Sequence, residues 1–457
     1  MEENKMQHDL THGDISKKLV LFFLPIAVGT LFQQFYNTVD AMVVGRYVGK
    51  EALAAVGGSA AQVIALCVGF FVALTGGASA VIAQLMGAQQ ERDVSDAVHS
   101  ALAFSIVAGL IMTVTGVPFA STLLQWMQTP ADTMQQSVIY LQVYLAGTVF
   151  MLLFNMGSSI LRAVGDSKHP FYYLVICCVC NIILDLVLVV QFNMGVAGAA
   201  LATVISQFLS TILVLQRLCR TKDIYKVNLK QLKIHRRVTE RMLRIGVPTG
   251  LQESMYNVAN LIIQVAINSL GTVAVAGWSI TCKLDGIYVA LSSALGVAVM
   301  SFVGQNFGAG HYDRVRQLLR VSMKIFLPVT LLVGGFLLWM SETALFIFTD
   351  DPAVMECTRQ IMWILVPFYL MWTIIEGVGG VLRGVGDAIV PFIITCVGVC
   401  VTRLSWVIFV FPHLQTLGGL LVCWPLSWTV TAVAMLWYYR RGTWLTKQLE
   451  DEMYNEF

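Results

Sequence analysis

The sequence predicts an all-α membrane protein, with twelve transmembrane helices in two six-helix lobes related by a pseudo-two-fold axis along the membrane normal. Composition, the recurrence of long apolar runs and an internal repeat carry that expectation. Of 457 residues, 57% are hydrophobic and 12% charged, where an ordinary soluble domain has roughly 25% charged. Apolar runs of about 18 residues or more recur from Leu19 almost to the C-terminus. As a helix, each is long enough to cross a hydrocarbon core about 30 Å thick.

The runs place spans at 19–48, 58–86, 96–118, 137–161, 170–191 and 195–217, then at 242–270, 280–306, 317–340, 357–382, 391–411 and 416–439. The one sizeable hydrophilic stretch, Arg217 to Arg244, divides them. The expected organisation is an N-lobe over 1–218, a basic linker over 219–241, and a C-lobe with its tail over 242–457. The halves repeat. Leu161-Arg162-Ala163-Val164-Gly165-Asp166 with Pro170 returns as Leu382-Arg383-Gly384-Val385-Gly386-Asp387 with Pro391. Gln84, Gly87 and Ala88 return as Gln305, Gly308 and Ala309, at the same offset of 221. Gly49-x-x-Ala52-x-Ala54 returns at Gly271, one residue further on. An even number of spans per half makes the halves parallel repeats, an arrangement in which a transporter binds substrate between its halves.

Lys and Arg gather in Lys5 to Lys18, Arg217 to Arg244, Arg314 to Arg320, and at Arg440, Arg441 and Lys447. Short basic loops stay in the cytoplasm, so both termini are expected there, with the chain multi-pass in the inner (cytoplasmic) membrane. Retention of the linker explains its charge without a nucleic-acid partner. The opening MEENKMQHDLTHGD holds no apolar run before a cleavage site, so the first span is expected to serve as its own insertion signal. The ten cysteines lie mainly in apolar segments and read as small packing residues. Cys177, Cys178 and Cys180 point different ways around one helix.

An ionisable group deep in a bilayer costs at least a few kcal/mol, which makes each one a candidate for function. In the first half these are Asp40 and Asp185, with the amides Gln33, Gln34, Asn37 and Asn181. Asn181 and Asp185, four apart, share a helix face. Asp40 lies about eight residues from the outer end of its span, Asp185 about six and Thr203 about eight, so all three sit roughly 9–12 Å deep. Two carboxylates, an amide and a hydroxyl at one level are hard oxygen ligands for Na+, and paired carboxylates also serve a proton. Asp40, Asn181, Asp185 and Thr203 are the candidate Na+/H+ coupling site.

The second half carries Glu253, Glu376 and Arg403. By the repeat, Glu253 corresponds to Gln33, Glu376 to Asn155 and Asn260 to Asp40. Acids in one half stand where the other has amides, which points to divergent jobs. One alternative is that Glu253 and Glu376 neutralise Arg403. Lys283 and Asp285 are expected near an outer helix end, snorkelling to the interface. Pro25 and Pro248 occupy corresponding helices and permit a kink in each. Gln33, Gln34, Tyr36, Asn37, Met151, Phe154, Asn155, Glu253, Asn257, Trp278, Glu376 and Arg403 are the candidate cavity residues. Tyr140 and Tyr144 add aromatic surface for flat cations.

On Pro25 with Gln33-Gln34-x-x-Asn37-x-x-Asp40, on Gly304-Gln305-Asn306-Phe307-Gly308-Ala309-Gly310, and on the doubled Leu-Arg-x-x-Gly-Asp motif, the chain resembles the multidrug and toxic compound extrusion family. The resemblance covers residues 16 to 440. It implies a V of two lobes that exports compounds against an inward Na+ or H+ gradient. In the DinF-like branch the coupling cation is assigned to an N-lobe cluster that maps onto Asp40, Asn181, Asp185 and Thr203. Other branches carry C-lobe acids where this chain has Tyr256 and Trp372, which favours the DinF-like branch.

The expected function is therefore secondary antiport of small organic, often cationic and amphipathic compounds against Na+ or H+ by alternating access. No other cofactor is expected. The expected partners are small organic cations or drugs and membrane lipids, with the chain acting as a monomer. A flippase for a lipid-linked precursor is the alternative. It would need a larger and more basic cavity, whereas the intramembrane charges singled out above are mostly acidic. An enzyme is not expected, since there is neither an H-E-x-x-H motif nor a nucleophile with its base. Nor is there a Walker A sequence.

Overall fold

The computed structural model describes residues 9–448. Lys5, most of the opening polar segment and the end of the C-terminal tail lie outside them. Every long element among the described residues is a helix. This is what lipid requires, because a helix satisfies its backbone hydrogen bonds internally.

We number the spans α1 (Ile15–Tyr47), α2 (Lys50–Gly87), α3 (Glu91–Trp126), α4 (Ala131–Ala146 and Thr148–Ala163), α5 (Lys168–Gln191) and α6 (Gly195–Arg220). The second half follows with α7 (Arg236–Asn268), α8 (Thr272–Gly308), α9 (Tyr312–Thr343), α10 (Pro352–Val385), α11 (Ile389–Leu414) and α12 (Leu417–Arg441). Ten are continuous and apolar enough to span, and α4, bent by 49° at Gly147, is the eleventh. The twelfth, α7, is 33 residues long but too polar to qualify by composition, since Gln252, Glu253, Asn257 and Asn260 lie along it. It crosses as one helix because its polar face turns to a cavity instead of lipid. Large apolar side chains cover the outside: Val114 is 70% and Leu332 74% exposed.

The expected spans appear in order, but the helices run longer. Charged residues at their ends lower local hydropathy without breaking the helix. The largest shifts are of eight residues, at the start of α2 (Lys50), the end of α3 (Trp126) and the start of α8 (Thr272).

The repeat is visible in the backbone. Gly165 and Gly386 take φ of +92° and +100° just past α4 and α10, a left-handed helix end that costs glycine little. The following aspartates then cap the next helices. Asp166 Oδ1 accepts from His169 N at 3.1 Å and Asp387 Oδ1 from Val390 N at 3.4 Å.

An even number of spans puts residues 9 and 448 and the connector between α6 and α7 at one end, here called the linker end. There the lobes exchange arms. Leu19, Phe22, Phe23 and Ile26 of α1 pack into the core of the second half. Val238, Met242 and Ile245 of α7 pack into the core of the first. At the far end each helix returns to its own half, with Val43 and Val44 in one core and Ile263 and Ile267 in the other. Pro25 and Pro248 lie inside these exchanging helices.

Candidate functional site

Toward the far end, α1, α5 and α6 enclose a pocket of oxygen atoms. Tyr36 and Asp40 share the buried face of α1, four residues apart. Asp40 is 8% exposed, Asn181 1% and Asp185 0%. The Asp40 and Asp185 carboxyl groups are near enough to interact directly. Asn181 Nδ2 donates to Thr203 Oγ1 at 3.4 Å, and Thr203 Oγ1 donates to the Ala199 carbonyl at 3.2 Å. Asp40 Oδ1, Asn181 Oδ1 and both oxygens of Asp185 have no hydrogen-bond partner among the described residues. Four buried oxygens without donors, two of them on one carboxylate, are costly to hold dry. A proton or a small hard cation would satisfy them. Just past Asp185, α5 widens into a π-helical turn over Leu186–Gln191, a feature that often marks functional sites.

Among the described residues no three His, Cys, Asp or Glu side chains converge as a metal site. The donor set is thus two carboxylates with neutral oxygens, which suits an alkali cation or a proton better than a transition metal.

The second feature is a cavity of about 560 Å³ between the halves. Thr75, Ser79, Asn155, Ser159 and Arg162 line it from the first half. Glu253, Tyr256, Asn257, Asp285, Glu376, Arg383 and Arg403 line it from the second, with Trp372, Trp424 and Trp428. Its lining carries three acids and three arginines. Glu376 Oε2 accepts from Arg383 Nη2 at 3.3 Å, two helical turns along α10 on the same face. Arg162 Nη2 donates to Ser159 Oγ at 3.0 Å. Asp285 Oδ1 accepts from the Tyr369 hydroxyl at 2.5 Å.

Three expectations need correction. Asp285 is not a snorkelling residue at a helix end. Because α8 starts at Thr272, Asp285 lies thirteen residues inside it, about 20 Å along the axis, and faces the cavity. Lys283, two positions earlier, is exposed. Second, Arg403 is not neutralised by Glu253 or Glu376, since the partner of Glu376 is Arg383. Third, the charges in the cavity are balanced and not mostly acidic. Arg162 and Arg383 stood in the repeated motif but were not among the expected cavity residues. The signal that would have found them was the motif's invariance between the halves, which loop retention alone does not require.

The expected cavity residues separate into groups. Asn155, Glu253, Asn257, Glu376 and Arg403 line the cavity. Tyr36 belongs to the oxygen pocket, alongside Tyr144 and Asp40. Gln33, Gln34 and Asn37 of α1 are exposed, and Gln34 approaches Gly286 of α8. Met151 accepts from the Tyr144 hydroxyl at 3.2 Å. Phe154 is part of the first-half core, and Trp278 packs on Trp424 with ring centres 4.9 Å apart.

The third feature closes the linker end. Gly87 of α2 and Gly308 of α8 touch so closely that a Cβ on either would fall 1.9 Å from the Gln305 carbonyl oxygen or 1.8 Å from that of Gln84. Only glycine permits that approach. Beside the crossing, Gln84 reaches Gly384 of α10 and Gln305 reaches Ala163 of α4. Residue 10 is held there too, its N–H donating to Gln305 Oε1 at 3.1 Å and its carbonyl accepting from Asn306 Nδ2 at 3.1 Å.

Comparison with known proteins adds an independent finding. The MatE family model matches residues 25–187 and 248–408, which run from α1 to α5 and from α7 to α11. The probable multidrug resistance protein YoeA of Bacillus subtilis is 27% identical over 447 residues, 95% of each chain. The probable multidrug resistance protein NorM of Thermotoga maritima is 25% identical, over 90% of this chain and 88% of its own. A structure titled as the outward-facing conformation of a multidrug resistance MATE family transporter superposes with a TM-score of 0.89 at 24% identity. It covers 96% of this chain and 98% of that one. A MOP superfamily transporter from Pyrococcus furiosus gives 0.87, also at 24% identity. At that identity the two structures establish the fold.

Proposed function

From the premise that this chain belongs to the MatE family, a family of transporters and not enzymes, we propose that it is a secondary antiporter. It exports small organic compounds, often cationic and amphipathic, in exchange for Na+ or H+ by alternating access. The observation that carries the coupling step is the set of partnerless buried oxygens on Asp40, Asn181 and Asp185. The relatives named for multidrug resistance support the substrate class.

Asp40, Asp185, Asn181 and Thr203 hold the coupling ion. This cluster lies in the first half, in keeping with the DinF-like branch. The lobes run over 1–218 and 242–457, joined by the basic linker over 219–241, and bind the exported compound in the cavity between them. The closed crossing at Gly87 and Gly308 supports a state sealed on the linker side. The basic residues at the ends of α6 and α7 support a cytoplasmic linker, with the chain in the inner membrane and in contact with its lipids. It works as a monomer.

A flippase reading would draw on the three cavity arginines, but the three cavity acids oppose a polyanionic lipid-linked cargo. Gradient-driven efflux of a cationic dye from liposomes, with and without Asp40, tests the antiport reading.

A further inference from the structure

Equivalent clusters in the two lobes differ in charge, acidic in the first and basic in the second. In the first lobe the oxygen pocket joins Asp40 of α1 to Asn181 of α5 and Thr203 of α6. The repeat sets Asn260 of α7 opposite Asp40, at an offset of 220, and Trp424 of α12 opposite Thr203, at 221. The helix α11 widens into a π-helical turn over Cys396–Val401, which takes in an extra residue and advances the register by one. That brings Arg403, 222 residues on, to the place of Asn181. The contacts agree. Where Asn181 meets Thr203, the Arg403 guanidinium lies 5.0 Å from the Trp424 ring, and its Nη1 donates to Asn260 Oδ1 at 3.4 Å.

Arg403 is 4% exposed and lines the cavity. Its partners are all neutral: Asn260, the Ser427 hydroxyl at 3.1 Å, and the Trp424 and Trp428 faces. Among the described residues no carboxylate comes within the ion-pair distance of 4.0 Å. A guanidinium touched inside a membrane by neutral groups alone has no direct ion-pair partner, although the charge of Asp285 reaches it across the cavity. Its planar fork matches a carboxylate or a phosphate. Asp285 lines the same cavity, as do the aromatic faces of Tyr256 and Trp372, with ring centres 5.7 Å apart.

We infer that the surroundings of Arg403 form an anion-recognition site, the charge-inverted counterpart of the coupling pocket, and that the cavity selects zwitterionic amphiphiles. Such a compound combines a flat body and a cationic group with a carboxylate or phosphate. The anion goes to Arg403, the cation to Asp285 and the flat body to the aromatic faces. The inference rests on the exporter reading and specifies its substrate. The same chemistry occurs in soluble drug-like compounds and in zwitterionic lipid headgroups.

The test is binding of two dyes to the purified full chain, followed by fluorescence polarisation. Tetramethylrhodamine methyl ester is a monocation, and its free acid, tetramethylrhodamine, is a zwitterion with the same aromatic body. Arg403→Gln should raise the Kd of the free acid about tenfold or more, as expected for loss of a buried charge partner. It should leave the ester within about twofold, and that retained binding also shows that the variant folds. Arg403→Lys should keep part of the preference for the acid, and Asp285→Asn should weaken both dyes. If Arg403→Gln changes both dyes alike or neither, or if the wild type binds neither, the inference is overturned. Failure of the exporter reading looks different: both dyes bind, the acid still depends on Arg403, and no gradient drives flux. Competition by a short-chain phosphatidylethanolamine identifies the source. Displacement of the free acid points to lipid headgroups, and no displacement, with Arg403 dependence intact, points to soluble compounds.

Discussion

Gln84 donates its Nε2 to the carbonyl of Gly384 at 2.9 Å, across the interface between the halves. The repeat turns this contact around: Gln305 Nε2 donates to the Ala163 carbonyl at 2.8 Å. Each glutamine therefore ties its own lobe to the Leu-Arg-x-x-Gly-Asp motif of the other. The bonds flank the glycine crossing, and the exchange of α1 and α7 between the cores lies at the same end. All these contacts join the lobes where they are closed, so all must loosen if the linker end is to open.

Gln84→Ala and Gln305→Ala should each weaken that closure by about 1 kcal/mol, the usual net worth of one hydrogen bond. That is roughly a fivefold shift toward the linker-open state. Gly308→Ala should shift it further, since its methyl would meet the Gln84 carbonyl. Amide hydrogen exchange over 80–88 and 301–309 reads the change. Unaltered protection in all three variants would show that the clasp does not hold the end shut.

Much of this architecture was legible in the sequence, because hydropathy and an internal repeat report directly on lipid exposure and pseudo-symmetry. Even the polar α7 was placed at 242–270 by its apolar run. What was missed depended on where helices end and which way long side chains point. Asp285 looked peripheral because the first turns of α8 are short on strongly apolar residues. Arg162 and Arg383 were read only as part of the repeated motif, yet each turns into the cavity from the last turns of its helix. Depth arithmetic set Asp40, Asp185 and Thr203 at one level because depth counted from a helix end depends only on residue number and rise per residue. Gln33, Gln34 and Asn37 share the helix of Asp40 but stay exposed where Asp40 is buried, which a polarity count does not show.

Thr203→Val separates the two coupling ions. The hydroxyl supplies a neutral oxygen that a bound Na+ would use and a proton shared by two carboxylates would not. If Na+ is coupled, the Na+ concentration for half-maximal transport should rise several-fold, to an extent set by the loss of one ligand. Proton-driven transport, assayed with an imposed pH gradient, should stay near wild type. Equal losses under both gradients would assign Thr203 to helix packing.

Glu376→Gln removes the charge facing Arg383 and leaves that guanidinium free to engage an anionic group in the cavity. The variant should change relative efflux rates across a panel of cationic and zwitterionic dyes by about tenfold or more, as loss of a buried charge partner implies. Its dependence on the driving gradient should match that of the wild type. An unchanged dye profile, or loss of coupling itself, would remove Glu376 from substrate recognition.

The most direct test of the account is ethidium efflux from liposomes containing the purified chain, under an imposed Na+ gradient and then a pH gradient. The expected result is flux driven by one of these gradients and abolished in both Asp40→Asn and Asp185→Asn, with both variants expressed and folded. Undiminished gradient-driven flux in those variants would contradict the assignment of the coupling pocket. No flux from the wild type under either gradient would contradict the antiport reading.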